Sequence, residues 1–191
     1  MEIVTSTSTN ASDTAALDRA IVELQAPLTT IVAVDDDGGV VFVCDQSNPL
    51  IMREKITRIG EVLLKEVGAC DLPVTHEFAD GLYIRKMLIP KGTLIVGKVH
   101  KRECVNVVER GDIAVLTESG AMRVRAGFTS VTPPGIQKLG FANEETVFIN
   151  IFRADKKEID ALEAELVCDT VAEYEASLQG DVIEEGVCLQ D

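Results

Sequence analysis

The sequence has no run approaching the roughly 18 consecutive apolar residues that a membrane-crossing helix needs. Its start, MEIVTSTSTNASD, has neither the basic residues nor the apolar core of a secretory signal, so a protein outside the usual export route and away from membranes is expected. The five cysteines, Cys44, Cys70, Cys104, Cys168 and Cys188, are an odd number without a C-x-x-C pair. They indicate neither a disulfide framework nor a zinc knuckle and are read as reduced thiols. Basic residues are scarce, 18 against 32 acids, and a net charge of −14 argues against a nucleic-acid partner. Histidine is scarcer still, with only His76 and His100.

What is present suits one sizeable core with extensions, since 191 residues at 46% hydrophobic content fall within the usual length of a single domain. The acidity is uneven: from Asp155 onward there are 12 acids and 2 lysines, which is −10 of the total. Residues 1–13 are Ser/Thr/Asn-rich and read as a mobile or partner-ordered arm. Leu17, Ile21, Val22 and Leu24 lie at near-helical spacing and predict a short helix from Thr14 to Gln25. Two β-branched runs about Asp36-Asp37-Gly38-Gly39 predict a hairpin; the acidic triplet lacks the ligand spacing of a calcium loop. Ile51, Ile56, Ile59, Val62, Leu63 and Val67 form an amphipathic stripe that Gly68 is placed to end, read as core or subunit contact. Asp155-x-x-Glu158 resembles a capping box ahead of Ile159, Leu162 and Leu166, and Cys168 to Leu178 is read as a second helix before an acidic tail that is solvated or held by a basic partner.

Between these extensions, short apolar pieces are closed by Gly, Asp or Pro every 8 to 12 residues or so, the pattern of a β-sandwich or small barrel. Two spacings stand out within it. Gly92, Lys98, His100, Cys104 and Gly111 fall as G-x5-K-x-H-x3-C-x6-G, and Gly127, Pro133, Gly135 and Lys138 as G-x5-P-x-G-x2-K. Both resemble the paired motifs of the cupin family, whose three histidines and one glutamate meet around a metal ion inside a jelly-roll barrel. The resemblance implies a mainly β fold, a cupin-like jelly-roll barrel with an N-terminal hairpin and helix extension and C-terminal helices. The chain then divides into an N-terminal extension, 1–71, the barrel, 72–153, and an acidic helical extension, 154–191. Three of the four family ligand positions are replaced, by Lys98, Cys104 and Lys138, and a protonated lysine repels a cation instead of ligating it.

Alternation along one unbroken strand puts Lys98, His100, Arg102 and Cys104 on a single face, which the resemblance directs into the barrel. Lys98, His100, Arg102, Cys104 and Lys138 are therefore the candidate ligand-binding residues, for an anion such as a carboxylate or sugar acid, with structural pairing of each lysine to a carboxylate as the other reading. No catalytic residue and no cofactor is assigned. The alternative is one divalent transition metal held by His100 and Cys104, helped by Glu103 or His76. Cysteine–histidine catalysis is disfavoured because residues i and i+4 of a strand lie about 13 Å apart.

A more specific resemblance covers Val74 to Leu166. His76-Glu77-Phe78-Ala79-Asp80-Gly81-Leu82-Tyr83, Ile89-Pro90-Lys91-Gly92, Gly97-Lys98-Val99-His100-Lys101, Gly111-Asp112-Ile113, Thr117-Glu118, Pro134-Gly135 and Phe141-Ala142-Asn143-Glu144-Glu145-Thr146 are similar to segments of small cupin-like proteins of tailed bacteriophages and prophages. In that pattern Cys104 and Asn143 stand where histidines are usual. The resemblance implies phage origin and a place in the virion or the host cytoplasm. The expectation is a non-catalytic, metal-depleted assembly or binding module of a virion, forming a homo-oligomer through the Ile51–Val67 stripe and the N-terminal hairpin, with other virion proteins as possible partners. The alternative is a metal-dependent cupin enzyme or a sugar- or small-anion-binding protein.

Overall fold

The computed structural model describes residues 3–5, 32–43, 48–66, 68 and 71–184. The helix expected at 14–25 lies outside them, as do Cys44, Cys70, Cys188 and residues 185–191 of the acidic tail.

Fourteen short strands and three helices form the described chain. The strands are β1 (Ile3–Thr5), β2 (Val32–Val34), β3 (Val40–Phe42), β4 (Val74–Ala79), β5 (Leu82–Ile89), β6 (Leu94–Val96) and β7 (Val99–His100). They continue with β8 (Cys104–Arg110), β9 (Asp112–Thr117), β10 (Gly120–Arg125), β11 (Thr129–Thr132), β12 (Leu139–Ala142), β13 (Thr146–Arg153) and β14 (Val167–Cys168). The helices are α1 (Pro49–Glu66), α2 (Ile159–Leu166) and α3 (Val171–Glu184). Two antiparallel five-stranded sheets, ordered β1-β6-β12-β9-β10 and β11-β8-β13-β5-β4, pack face to face as a jelly roll. Ile3–Thr5, expected in a mobile or partner-ordered arm, instead pairs with β6 as an edge strand, Ile3 opposite Val96.

Strand register sorts the inner face of the second sheet into rows, because alternate residues of a strand face the same way and paired residues sit side by side. Val108, Phe148, Met87 and Val74 form an apolar row across β8-β13-β5-β4. It packs with Ile95, Ile113 and Val124 of the first sheet in one core cluster. Two residues further along, Ser130, Asn106, Asn150, Arg85 and His76 form a polar row across all five strands. Beyond it come Phe152, Tyr83 and Phe78. The interior is thus apolar at one end, polar in the middle and aromatic at the other end.

Helix α1 covers the outer face of the first sheet. Asn48 caps it by accepting the Ile51 N–H at 3.3 Å, and Pro49 occupies the first turn, where its missing N–H costs nothing. Gly68 ends it with φ +86°, donating to the carbonyls of Leu63 and Leu64. Met52, Ile56, Ile59 and Leu63 form the buried face, packed with Phe42, Val96, Ala114, Leu116 and Leu139. The stripe is therefore core within one chain. This is the first of the two readings, core or subunit contact; among the described residues, Ile51 of the stripe and its neighbours Leu50 and Leu64 remain exposed.

The β2–β3 hairpin is docked by charge. Its turn is closed by Asp35, whose Oδ1 accepts the N–H groups of Asp37 and Gly39. The same loop pairs Asp35 with Arg123 and Asp37 with Arg125, while Asp112 accepts from both guanidiniums at 2.7 Å. A β-carbon at Gly39 would meet the Arg123 guanidinium and push it from its ion pairs with Asp35 and Asp112. Asn143 clamps the hairpin to the sandwich by accepting the Val40 N–H at 2.7 Å and donating to the Val40 carbonyl at 2.9 Å. Asn143 is thus a structural clasp between hairpin and sandwich.

Asp112 is buried, which opposes its charge, yet hydrogen bonds from Arg123, Arg125 and Asn143 hold its carboxyl down at about 2, below the ordinary 3.8. A depressed folded-state pKa stabilises above the unfolded value, and that contribution is lost as pH falls from about 4 to about 2. Asp112→Asn is expected to lower stability at neutral pH and to flatten this acid limb, as read by urea denaturation at stepped pH. A limb unchanged in the variant would show that other carboxylates carry it.

At the C-terminal end, Glu158 sits at the start of α2 without a side-chain capping bond, which corrects the expected Asp155-x-x-Glu158 box. The cap is one helix later, where Thr170 Oγ1 accepts the Glu173 N–H at 3.1 Å and Glu173 Oε2 accepts the Asp169 N–H at 3.0 Å. Cys168, expected in a helix, belongs to β14, which pairs with β7.

Candidate functional site

His100 is held by its backbone from two sides. Its N–H donates to the Ile136 carbonyl at 3.3 Å and its carbonyl accepts the Gly135 N–H at 2.7 Å, so the Pro133-Pro134-Gly135 corner fixes it. On the other side it pairs with Val167 of β14. Immediately after His100 the strand stops, and residues 101–103 bend before β8 begins at Cys104. This break overturns the expected single face and the 13 Å separation: His100 Nδ1 and Cys104 Sγ lie 3.0 Å apart. Arg102 and Glu103 fall on the bend and point outward, Arg102 pairing with Glu165 at 3.1 Å. They leave the candidate set for that reason.

Cys104 leads into the polar row. Asn106 Oδ1 accepts from Asn150 Nδ2 at 2.9 Å and from Lys138 Nζ at 3.2 Å, and the Cys104 thiol lies 3.6 Å from the same oxygen. The Asn106 amide donates onward to Thr132 Oγ1 at 2.7 Å and toward Ser130. The thiol has two acceptors in reach, His100 Nδ1 at 3.0 Å and Asn106 Oδ1 at 3.6 Å, and when it donates to His100 the ring proton sits on Nε2.

Electrostatics keep this pair neutral. Burial first, then the charges of Lys138 and Arg85, push His100 down to about 3, and burial pushes the Cys104 thiol up. An activated cysteine needs the opposite, a stabilised thiolate beside an imidazolium. The sequence missed three members of the cluster, Arg85, Asn106 and Asn150. Their signal was a polar residue inside an apolar strand run, as in CVNVV and VFINIF.

Lys98 stands at the mouth, paired with Asp169 at 3.1 Å and Glu163 at 3.7 Å. Around it a cavity of about 40 Å³ is lined by Tyr83, Arg85, His100, Asn150, Phe152 and residues of α2 and β14. A second cavity of about 40 Å³ lies deeper, also touching Lys98, His100, Lys138 and Asn150. Each has room for a water or two, far below a typical substrate pocket. His76 is remote from this centre: it bonds Tyr83 Oη at 2.7 Å on the edge strand β4, with Tyr83 and Phe152 stacked between it and His100.

The residues do not fit a divalent metal. Lys98, His100 and Lys138 line one cavity and Cys104 adjoins it, so these four positions of the two motifs converge, but they supply one neutral imidazole and one protonated thiol beside ammonium groups. Among the described residues no three of His, Cys, Asp and Glu come together as a metal-holding group. No described helix is long and apolar enough to cross a membrane.

No family model and no curated protein matches this sequence. Solved structures similar to it include a cupin-2 domain protein from Shewanella frigidimarina, 14% identical, covering 43% of this chain and 80% of that one with a TM-score of 0.37. A cupin 2 conserved barrel protein from Salinispora arenicola is 12% identical over 44% of this chain and 76% of its own, TM-score 0.38. KdgF from Halomonas is 17% identical over 47% and 81%, TM-score 0.39.

Proposed function

We propose that this protein is a metal-free, non-catalytic cupin-type jelly roll that serves as an assembly or binding module, with a tailed-phage virion as its setting. The observation that carries the reading is the closed network of His100, Cys104, Asn106, Asn150 and Lys138, which fills the place of a metal centre with neutral groups and a cation. A lysine charge about 4 Å from a divalent ion opposes it by roughly 8 kcal/mol at an effective dielectric near 20. The two cavities that His100 lines are about 40 Å³ each, too small for a sugar-sized substrate. The phage setting rests on the resemblance of the Val74–Leu166 segments. In a particle the protein acts as a homo-oligomer, with the exposed Val34 and Val43 of the hairpin and Leu50 and Ile51 of α1 as apolar contact candidates.

The test has two arms. Protein produced with iron, manganese, zinc and nickel available is expected to carry none of them in stoichiometric amount. Near-stoichiometric metal lost in both His100→Ala and Cys104→Ser would restore the enzyme reading. Mass spectrometry of purified particles is expected to find the chain as a component, and light scattering to find an oligomer at micromolar concentration.

A further inference from the structure

The second sheet is apolar on both faces, and the register that orders its inner side orders its outer side too. Val131, Val105, Ile151 and Ile84 form an outer row across β11-β8-β13-β5, ending at Glu77 of β4. The next row places Val107 beside Ile149 and then Lys86, and a third places Val147 beside Leu88. Ile149 is buried at the centre, the apolar residues around it are partly exposed, and Val131 at the edge is 58% exposed. A sheet with one solvated face alternates apolar with polar residues, whereas a sheet apolar on both faces is covered on both. The first sheet has its cover in α1, which packs on β1, β6 and β9. Helices α2 and α3 pack on β14, so among the described residues no helix lies on β5, β8 and β13 as α1 does on the first sheet.

We propose that this outer face pairs with the same face of a second copy of the chain, the two sheets stacking about a two-fold axis. The inference rests on the homo-oligomer reading and gives it a surface. Charge selects the occupant. The chain carries a net −14, yet this face is balanced: Lys86, Arg110 and Arg153 are matched by Glu77, Glu109 and, at the rim, Glu145. Lys86 lies 3.4 Å from Glu77 and 3.8 Å from Glu109, and Arg110 lies 2.8 Å from Glu145. A patch that meets itself needs both signs, and a face without net charge is where two acidic chains approach with least repulsion. The same neutrality gives a strongly acidic or basic partner nothing to read. Area agrees: three rows on five strands cover about 24 Å by 20 Å, so a face-to-face pair removes about 1,000 Å² from water, the least that a specific interface needs. An interface of that size makes a reversible dimer.

Sedimentation of the full chain is expected to show association with a Kd of about 1–100 μM. In a mixture of isotope-labelled and unlabelled chains, intermolecular methyl NOEs are expected at Val105, Val107, Ile149 and Ile151. Val107→Lys, which puts a charge into each apolar face, is expected to weaken association at least about 10-fold, and Leu50→Lys on α1 to leave it unchanged. The NOEs on the unmodified protein decide the matter even where Val107→Lys does not fold. An oligomer whose intermolecular NOEs lie elsewhere, or one weakened by Leu50→Lys and not by Val107→Lys, overturns this inference and leaves the homo-oligomer reading standing. A chain that stays monomeric at about 100 μM overturns both.

Discussion

Ile59→Ala should lower the free energy of unfolding by about 2–5 kcal/mol and leave any dependence on protein concentration as in the unmodified protein. Ile59 is 1% exposed and sits mid-helix between Ile56 and Leu63, packed on the outer face of the first sheet with Ala114, Leu116 and Leu139. Truncation to Ala removes three carbons from a site whose neighbours belong to strands on one side and to the helix itself on the other. The sheet cannot collapse into the gap without giving up its ladders, so most of the cavity stays and the cost falls at the upper part of the range. Concentration is the discriminating variable. An oligomer's midpoint moves with protein concentration in any variant, so what discriminates is a change in that dependence: truncation at a subunit contact would weaken it, whereas truncation inside the protomer leaves it as in the unmodified protein. Urea denaturation at two concentrations a hundredfold apart reads the difference, and a midpoint shift confined to the unmodified protein would return the stripe to an interface.

The second large effect is a loss of stability between pH 6.5 and pH 4 that His100 carries. The imidazole is neutral in the fold, held down to about 3 by burial and by Lys138 and Arg85, while in the unfolded chain it takes up a proton near 6.5. Its folded pKa is depressed, so its contribution is complete above pH 6.5 and is lost as pH falls toward 3. The unfolded state binds the extra proton, and each pH unit in that window costs up to about 1.4 kcal/mol. His100→Phe abolishes the limb. It keeps the ring packing against Phe152, 5.5 Å away between centroids, but strands the Cys104 thiol without its imidazole partner, so a modest loss at neutral pH accompanies the flattening. The Asp112 limb lies lower, between about pH 4 and 2, so the two variants separate the two sources. An unmodified protein equally stable at pH 7 and pH 4.5 would mean that His100 is protonated inside the fold and that its surroundings have been misread.

Much of the architecture was legible because its causes are local. Short β-branched runs closed by glycine, proline and aspartate dictate strands and turns wherever they sit, and both the Asp36–Gly39 turn and the Thr117–Gly120 turn are where composition places them. The 3.6-residue recurrence of Ile56, Ile59 and Leu63 and the glycine after Glu66 define α1 and its end without reference to anything else in the chain. What periodicity cannot supply is the identity of what lies opposite. The same stripe is consistent with a neighbouring subunit or with the chain's own sheet, and that choice is settled by packing over long sequence separations.

The candidate site shows the division most clearly. The resemblance to cupin motifs implied that Lys98, His100, Cys104 and Lys138 meet; Lys98, His100 and Lys138 line one interior space, and the Cys104 thiol lies against His100. The sequence did not reveal the bend at residues 101–103, because Lys101-Arg102-Glu103 contains no glycine or proline to announce it. The bend is imposed from outside, by the Gly135–Ile136 corner that grips the His100 backbone and by Leu166, whose carbonyl takes the Lys101 N–H at 2.8 Å. That single break turns a 13 Å separation into a 3.0 Å contact and sends Arg102 out to Glu165. Alternation likewise shows that Asn106, Asn150 and Arg85 face inward, but only register puts them in one row, since a shift of one residue in any ladder would move a strand's whole set to the other face. The sequence by itself determined the strands, the turns and which residues can face the core, because backbone sterics and side-chain period act within a few residues. The tertiary structure alone decided which polar groups meet, which charges they feel and how little space is left between them, because hydrogen bonding, burial and field depend on neighbours that are remote in the chain.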